Sequence, residues 1–330
     1  MDIQPELIFK TYWGFAASKA LAVAVELDLF TAIHNRHNSA EKISKQLKLP
    51  LRSTKILLDA LVGVGLLTKS KLAYLLTPES KTYLVKSEPR YMGNVFSRMD
   101  EEFKLWSHLS EVVKTGKHVN GVDYATKVRF YAQLVRDIFP MSYASAIQAA
   151  KKLGVGKTLR GLKVLDVACG SGAWGIALAL ADKTTHVVAQ DFPEVLEVTS
   201  QYIKKFRLDN QYGFLPGDLQ IVDFGTQQYD AIYLGHICHC LGENDSRKLL
   251  KKCYQALKPG GRVLIGEFVP NDLKTGDQVS LLFALQMLLD TPYGDVFSVK
   301  EFKRWLGLTG FKKVSGLKLV FPASLVVGVK

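Results

Sequence analysis

The stretch D-V-A-C-G-S-G, residues 166–172, decides the fold of this chain. It ends the apolar run that begins at Lys163, and the segment after it, A-W-G-I-A-L-A-L-A at 173–181, has helical character. A strand that passes through a glycine turn into a helix opens a βαβ unit. Gly170 and Gly172 allow a tight turn and let a ligand approach the free N–H groups of the helix N-terminus. We therefore expect a ligand site at this turn.

Short apolar runs alternate with helical segments from this turn to the C-terminus. The later runs are H-V-V-A-Q (186–190), Y-G-F-L-P (212–216), Y-D-A-I-Y-L-G (229–235) and G-R-V-L-I-G-E-F (261–268). Such alternation predicts parallel strands joined by crossover helices, an α/β fold. A helical stretch from about 101 to 155 precedes this part of the chain.

Residues 1–100 have a different pattern, that of short amphipathic helices. Ser39 is a plausible N-cap of one helix, a second helix follows within 49–67, and T-K-S-K-L-A-Y-L-L-T at 68–77 has the pattern of a small hairpin. This order predicts a winged helix. The second helix is apolar where a DNA recognition helix would display polar side chains, so we expect a packing or dimerisation role and no nucleic-acid partner.

Charge and cysteine content bear on the partners and the location of the protein. The net charge of +12 is spread along the 330 residues, and the basic stretch K-K-L-G-V-G-K-T-L-R at 151–160 is expected to be a solvated face. Four cysteines without regular spacing predict no disulfide framework and favour a reducing, cytoplasmic location. No signal peptide and no transmembrane run is visible, so we expect no membrane insertion.

Acidic residues occupy the ends of three consecutive predicted strands. Asp166 lies in the first strand, Asp191 ends the second, and Asp218 follows the third. A carboxylate at such a strand end can accept the hydroxyls of a ribose. The turn lacks the Gly-Lys-Ser/Thr ending of a phosphate-binding loop, whereas Gly170, Gly172 and Gly175 fit the G-x-G-x-x-G spacing literally, which keeps NAD as an alternative ligand.

The motif D-x-x-x-G-x-G resembles the first motif of class I S-adenosylmethionine-dependent methyltransferases. With D-F-P at 191–193, G-D-L at 217–219 and L-K-P-G-G-R-V-L-I-G-E at 257–267, the chain resembles the two-domain small-molecule O-methyltransferases, which include caffeate, acetylserotonin and hydroxyneurosporene O-methyltransferases. The resemblance begins near Tyr12 and continues to the C-terminus.

The resemblance implies a winged-helix dimerisation domain over 1–100. A helical linker and a Rossmann-like methyltransferase domain with a seven-stranded, mostly parallel sheet would follow over 101–330. It also implies a homodimer with S-adenosyl-L-methionine as cofactor. The residues expected to bind the cofactor are Asp166, Gly170, Gly172, Asp191, Phe192, Asp218 and Leu219.

The stretch G-H-I-C-H-C at 235–240 then lies at the end of the fourth strand. The resemblance places the catalytic base at His239, oriented by Glu267 and by Asp295, although the family usually has Glu at the latter position. An imidazole with a pKa of about 6.5 can take a proton from an attacking hydroxyl. If the strand continues through this stretch, Cys238 and Cys240 point away from His239, so we predict no metal site.

The acceptor is expected to be a small, largely apolar metabolite. Phe283 and Met287 lie one helical turn apart in an apolar segment that lines the acceptor pocket in the family, and His236, Met141 and Trp106 are further candidates. A sulfur or carbon acceptor is the alternative, because Gly235, Cys240 and Asp295 depart from the family motif. A non-enzymatic alternative is a winged-helix regulator that senses a ligand.

Overall fold

The computed structural model describes residues 4–119 and 124–330, except for the side chains of 124–127. The chain divides into two compact units, one that ends at Lys104 and one that runs from Leu105 to Lys330. No helix within the described ranges is long and apolar enough to cross a membrane.

The N-terminal unit consists of helices and one hairpin. Its core contains Phe30, Ile43 and Leu58, and the Ser39 hydroxyl accepts a hydrogen bond from the Lys42 N–H at the start of α4, as the predicted N-cap requires. The elements are α1 (Glu6–Tyr12), α2 (Gly14–Glu26), α3 (Leu29–His34), α4 (Ala40–Leu47), α5 (Leu51–Gly63), β1 (Leu67–Ser70), β2 (Ala73–Leu76), α6 (Pro78–Leu84), the 3₁₀ turn Gly93–Arg98 and α7 (Met99–Trp106), which crosses the division.

The second unit alternates strands and helices, as predicted. Its elements are α8 (Leu109–Thr115), α9 (Tyr124–Asp137), α10 (Phe139–Leu153), β3 (Lys163–Val167), α11 (Ala173–Ala181), β4 (His186–Asp191), α12 (Pro193–Phe206), the 3₁₀ turn Asp209–Gln211, β5 (Tyr212–Pro216), β6 (Tyr229–Gly235), α13 (Cys238–Ala256), β7 (Leu257–Glu267), α14 (Gln278–Asp290), α15 (Val299–Thr309), β8 (Lys312–Lys318) and β9 (Ser324–Val329).

The seven strands form one sheet in the order β5-β4-β3-β6-β7-β9-β8. The pairs from β5 to β7 are parallel, and β9 pairs antiparallel with both β7 and β8, which confirms the predicted mostly parallel sheet. Val164 and Leu165, neighbours in β3, belong to different hydrophobic clusters. Helices therefore cover both faces of the sheet, which is why its central strands are apolar throughout.

The strand order positions the site. The chain moves outward from β3 through β4 to β5, and then returns to the other side of β3 with β6. Ligands of open α/β sheets bind beyond the carboxyl ends of the strands at such a reversal. The glycine turn after β3 and the histidine stretch after β6 both lie at this edge.

Candidate active site

The glycine turn after β3 is held by backbone and side-chain hydrogen bonds. Gly170 and Gly172 adopt φ values of +57° and +75°, a region that favours glycine. The Cys169 N–H donates to the Gln190 carbonyl (3.0 Å), and the Gly170 N–H donates to Asp191 Oδ2 (2.9 Å). The carboxylate of β4 therefore fixes the shape of the turn.

Asp166 lies beneath the turn and has no exposed surface. Its Oδ2 accepts the Gly175 N–H at 2.9 Å, and its Oδ1 has no hydrogen-bond partner. Burial, opposed by the Gly175 N–H and reinforced by Asp191, raises the pKa of Asp166 to about 8. The predicted contact of Asp166 with the cofactor stays a prediction; in the structure its carboxylate accepts the N–H of Gly175 in the first turn of α11.

Gly175 is required by close packing. A Cβ atom at this position would lie 2.8 Å from Asp166 Oδ2, 2.8 Å from the Tyr212 hydroxyl and 2.8 Å from Val187 Cγ1. Real Cβ atoms do not approach other atoms so closely, so only glycine lets α11 lie this near to the sheet. This packing accounts for the literal match to the G-x-G-x-x-G spacing.

Asp191 and Asp218 lie at the ends of their strands, as predicted. Asp191 also accepts the Phe192 N–H (2.8 Å), and burial, partly offset by its two backbone donors, raises its pKa to about 6. Asp218 Oδ1 accepts the Gln220 N–H at 2.8 Å, and the carbonyl of Leu219 accepts the Lys252 ammonium at 2.8 Å. Each carboxylate retains lone pairs for a ligand hydroxyl or amino group.

These residues fit S-adenosylmethionine. The turn A-C-G-S-G-A at 168–173 carries no Lys or Arg that would neutralise a phosphate, and the acids at the next two strand ends suit the hydroxyl and amino groups of an adenosine. The positive φ values keep the backbone of the turn open to close approach.

The histidine stretch leaves the sheet earlier than predicted. Strand β6 ends at Gly235, His236 adopts a left-handed φ of +57°, and α13 begins at Cys238. The expectation that the strand continues, with alternate residues on opposite faces, is therefore wrong. A Cβ at Gly235 would lie 2.3 Å from Trp174 Cδ1, so the indole of α11 excludes any side chain at Gly235 in this arrangement.

His239 and Glu267 form a buried pair, as the sequence predicts. Their exposed fractions are 7% and 2%. The His239 ring atom Nδ1 lies 2.7 Å from Glu267 Oε2, and the His239 backbone N–H donates to Oε1 at 3.2 Å. A carboxylate only accepts hydrogen bonds, so Nδ1 carries a proton and Nε2 holds the lone pair when the imidazole is neutral.

The charges of the pair reinforce one another. Burial opposes ionisation of Glu267, yet His239 and His236 outweigh it and lower the pKa of the Glu267 carboxyl well below its usual range. Burial likewise lowers the pKa of His239, but Cys240 and Glu267 outweigh it and raise that pKa well above the ordinary value. The ordinary imidazole pKa assumed from sequence therefore does not describe this residue.

His236 faces the same carboxylate. Its Nδ1 lies 3.7 Å from Glu267 Oε2, is buried and has no hydrogen-bond partner. The ring lies between Trp174 and Phe268, with ring centroids 5.8 and 5.0 Å away, and the His236 backbone N–H donates to the Gly266 carbonyl at 2.8 Å. The imidazole is thus held beside Glu267 without a direct bond to it.

The sequence predicted that Asp295 orients the His239 ring, but the carboxylate of Asp295 has other partners. Its Oδ2 lies 3.1 Å from the Lys274 ammonium and its Oδ1 accepts the Val296 N–H at 2.7 Å. Its backbone N–H, however, donates to the His239 carbonyl at 3.0 Å. The shorter side chain is directed to another partner, and the residue reaches His239 through its main chain.

Two aromatic rings border the histidine. The Phe283 ring packs edge-on against His239, with centroids 4.9 Å apart, and the Phe268 centroid lies 4.3 Å from that of Phe283. The sequence predicted Phe283 but missed Phe268, although Phe268 directly follows Glu267 and ends the motif I-G-E-F. An aromatic side chain next to the acid was the available signal.

The other residues predicted to contact the methyl acceptor lie in three different helices. Met287 is only 6% exposed and packs in α14, Met141 is half-buried in the first turn of α10, and the Trp106 indole donates to Gln286 Oε1 at 2.6 Å. Their predicted contact with an acceptor stays a prediction. Cys238 is fully buried in the core.

The doubly wound sheet, the glycine turn and the buried histidine–glutamate pair together define a Rossmann-like methyltransferase. Family profiles of the O-methyltransferase domain and of the O-methyltransferase dimerisation domain match residues 106–312 and 9–86. The chain belongs to the O-methyltransferase family. It is an S-adenosylmethionine-dependent methyltransferase of small molecules, which sets aside the alternatives of an NAD enzyme and of a regulator without activity.

Relatives and solved structures extend the match over the whole chain. The chain is 28% identical to the tetracenomycin polyketide synthesis 8-O-methyl transferase of Streptomyces glaucescens, with 99% of this chain and 97% of the relative covered. It is 26% identical to 3-hydroxy-5-methyl-1-naphthoate 3-O-methyltransferase of Streptomyces sahachiroi, with 99% and 95% covered. The structure of human N-acetylserotonin methyltransferase with its cofactor shares the fold, with a TM-score of 0.84, 21% identity, and 100% and 98% coverage.

Proposed function

We propose that the enzyme methylates a hydroxyl group of a small, largely apolar aromatic metabolite, with His239 as general base. The observation that carries this proposal is the buried contact of 2.7 Å between His239 Nδ1 and Glu267 Oε2. It leaves the lone pair of the neutral imidazole on Nε2, the atom that can accept a proton. Phe268 and Phe283 beside the ring supply an apolar wall.

The pair of His239 and Glu267 determines where the acceptor's proton goes. When bound, S-adenosylmethionine would supply an electrophilic methyl group to the acceptor oxygen and would leave as S-adenosylhomocysteine. The acceptor's proton passes to His239 Nε2, and Glu267 stabilises the imidazolium that results. Glu267 also holds the His239 backbone N–H, so one carboxylate fixes both the tautomer and the position of the ring.

For the cofactor, we assign direct contacts to Asp191, Phe192, Asp218 and Leu219 and to the backbone of Gly170 and Gly172. Asp166 acts beneath the turn, through Gly175, because its carboxylate is fully buried. The naphthoate enzyme, by its name, methylates the 3-hydroxyl of an aromatic acid, and the tetracenomycin enzyme is an O-methyl transferase of polyketide synthesis; the former supports an aromatic acceptor here.

We also propose that the chain acts as a cytoplasmic homodimer built through the domain of residues 1–100. The match to a dimerisation domain supports the dimer, as do large exposed side chains at the start of the unit. These side chains are Leu7, Ile8, Phe9, Tyr12, Trp13 and Phe15. The four cysteines are free, which agrees with a reducing compartment. Light scattering is expected to give twice the mass of the chain.

A screen with methyl-labelled cofactor tests the reaction. Phenols, including naphthols and polyketide-like polyphenols, are compared with thiols and with acceptors activated at carbon. Label recovered as an alkali-stable aryl methyl ether supports the proposal. Label found only on sulfur or carbon would replace it with the runner-up chemistry, in which a general base on the hydroxyl is not needed.

A further inference from the structure

We propose that His236, His239 and Glu267 also form a binding site for Zn²⁺, and that occupation of this site inhibits methyl transfer. The inhibition rests on the proposed role of His239, whereas the metal binding does not. Two imidazoles and one carboxylate are a ligand set that Zn²⁺ uses in proteins, with a further position left open.

The geometry of the three side chains is close to that of a metal site. One ligand atom from each lies within 4.8 Å of the other two. The two histidine Nδ1 atoms lie 2.7 and 3.7 Å from Glu267 Oε2. Ligand atoms around a tetrahedral Zn²⁺ are roughly 3.4 Å apart, because each bond is about 2.1 Å long. To admit the ion, the shortest of the three separations must widen, and the other two, which reach at most 4.8 Å, must shorten to this value.

Three further features favour the ion. Nδ1 of His236 is buried and unpartnered, a state that is usually avoided and that a metal would satisfy. Both imidazoles direct the same ring atom toward the same carboxylate oxygen. Glu267 supplies one negative charge, and neutral imidazoles are the form that binds transition metals. Hard ions such as Mg²⁺ prefer oxygen ligands, so the set selects Zn²⁺, Co²⁺ or Cu²⁺.

Metal binding and catalysis require opposite tautomers of His239. As general base, the ring carries its proton on Nδ1, which donates to Glu267, and it offers the lone pair on Nε2. With a metal on Nδ1, the single proton of the neutral ring lies on Nε2. That atom then cannot accept the acceptor's proton. The metal also occupies the carboxylate that stabilises the imidazolium, so the loaded enzyme lacks its base.

Cobalt provides a direct probe of the site. The full-length chain is treated with EDTA, dialysed and titrated with Co²⁺, and visible absorption is recorded. We expect one Co²⁺ per chain, with bands typical of nitrogen and oxygen ligands, and displacement by Zn²⁺. His236→Phe should weaken Co²⁺ binding by more than about 100-fold, because it removes a ligand. The matched control His186→Phe alters an exposed histidine away from the site and should bind Co²⁺ normally.

The arms of the experiment separate the two proposals. S-adenosylhomocysteine binding by calorimetry shows that each variant is folded, and His236→Asn replaces a variant that is not. Absence of Co²⁺ binding, or equal binding by His236→Phe, refutes the metal site and leaves the proposed reaction intact. In the activity arm, Zn²⁺ should abolish methyl transfer at the concentration that displaces Co²⁺, and EDTA should restore it. Full activity at saturating Zn²⁺ would refute the inhibition, whatever the metal occupancy.

Discussion

The glycine turn and the histidine stretch, which lie at the same edge of the sheet, shift the pKa values of their carboxyl groups in opposite directions. At the glycine turn, Asp166 and Asp191 have pKa values raised to about 8 and about 6, and their partners are backbone N–H groups. At the histidine stretch, the buried Glu267 has a lowered pKa, and two imidazoles lie beside its carboxylate. Burial raises the pKa in all three cases, so the partner decides the sign.

This difference in pKa shift fits two different roles, the positioning of the backbone at the glycine turn and proton transfer at the pair of His239 and Glu267. Neutral donors at the turn hold the loop in shape without compensating a full charge, which suits residues that position a backbone. A cationic partner at the histidine keeps the carboxylate ionised and stabilises a proton on the ring, which suits a proton acceptor. The predictions that follow perturb one side at a time, from the largest expected effect to the smallest.

Removal of the base should have the largest effect. We expect His239→Ala to lower kcat by about 10²-fold or more, because proton abstraction by a positioned base contributes about that much. Affinity for S-adenosylhomocysteine, measured by calorimetry, should stay nearly unchanged, since the turn side is untouched. A variant that retained most of its kcat on the true acceptor would remove His239 from the role of base.

An added side-chain atom at Gly175, next to the glycine turn, should lower the stability of the fold. In Gly175→Ala, the new Cβ must displace Asp166, Tyr212 or Val187, so we expect a loss of about 1–3 kcal/mol in the free energy of unfolding. The matched control is Gly213→Ala in β5, where no atom lies within 4 Å of the added Cβ. Thermal unfolding of both variants measures the contrast, and equal melting temperatures would contradict the packing account.

Charge removal beneath the turn should change the pH dependence of stability. The pKa of Asp166 is raised in the folded chain, so its contribution is full below the unfolded pKa and is lost as pH rises toward about 8. Asp166→Asn retains an acceptor for the Gly175 N–H but does not ionise. Wild type should therefore lose melting temperature relative to Asp166→Asn between pH 5 and pH 8.

The exposed Asp209 provides the control for this pH series. Asp209→Asn should follow the wild-type melting temperature across the range. If Asp166→Asn also runs parallel to wild type, the carboxyl of Asp166 does not titrate in this window.

The smallest effect is expected at Asp295. Its carboxylate pairs with Lys274 and is 44% exposed, and such pairs contribute at most about 1 kcal/mol. Asp295→Asn preserves the backbone N–H that contacts His239, so kcat should change by less than about threefold. A loss comparable with that of His239→Ala would mean that the family's second acid acts here after all.

The sequence predicted what depends on local pattern. The alternation of apolar runs with helical segments predicted the sheet. The stretch D-V-A-C-G-S-G predicted the edge of the sheet at which the ligand binds, because a glycine turn and acids at strand ends can be recognised from local sequence. Features that depend on side chains from distant elements were not predictable. Trp174 occupies the space beside Gly235, Lys274 takes the carboxylate of Asp295, and the left-handed backbone of His236 ends the strand early.

The pH dependence of kcat in wild type and in Glu267→Gln tests the central claim most directly. The claim is that Glu267 both orients His239 and, with Cys240, raises its pKa. Gln can still accept a hydrogen bond from the ring but has no charge, so the pKa of His239 should fall from its wild-type value, because Cys240 then opposes the effect of burial without Glu267. We predict that the rising acid limb of the wild-type profile lies above the ordinary imidazole value of about 6.5, and that it moves to lower pH in the variant as the plateau falls. Superimposable acid limbs would contradict the account, because the rate-determining proton acceptor would then not be the imidazole that Glu267 holds.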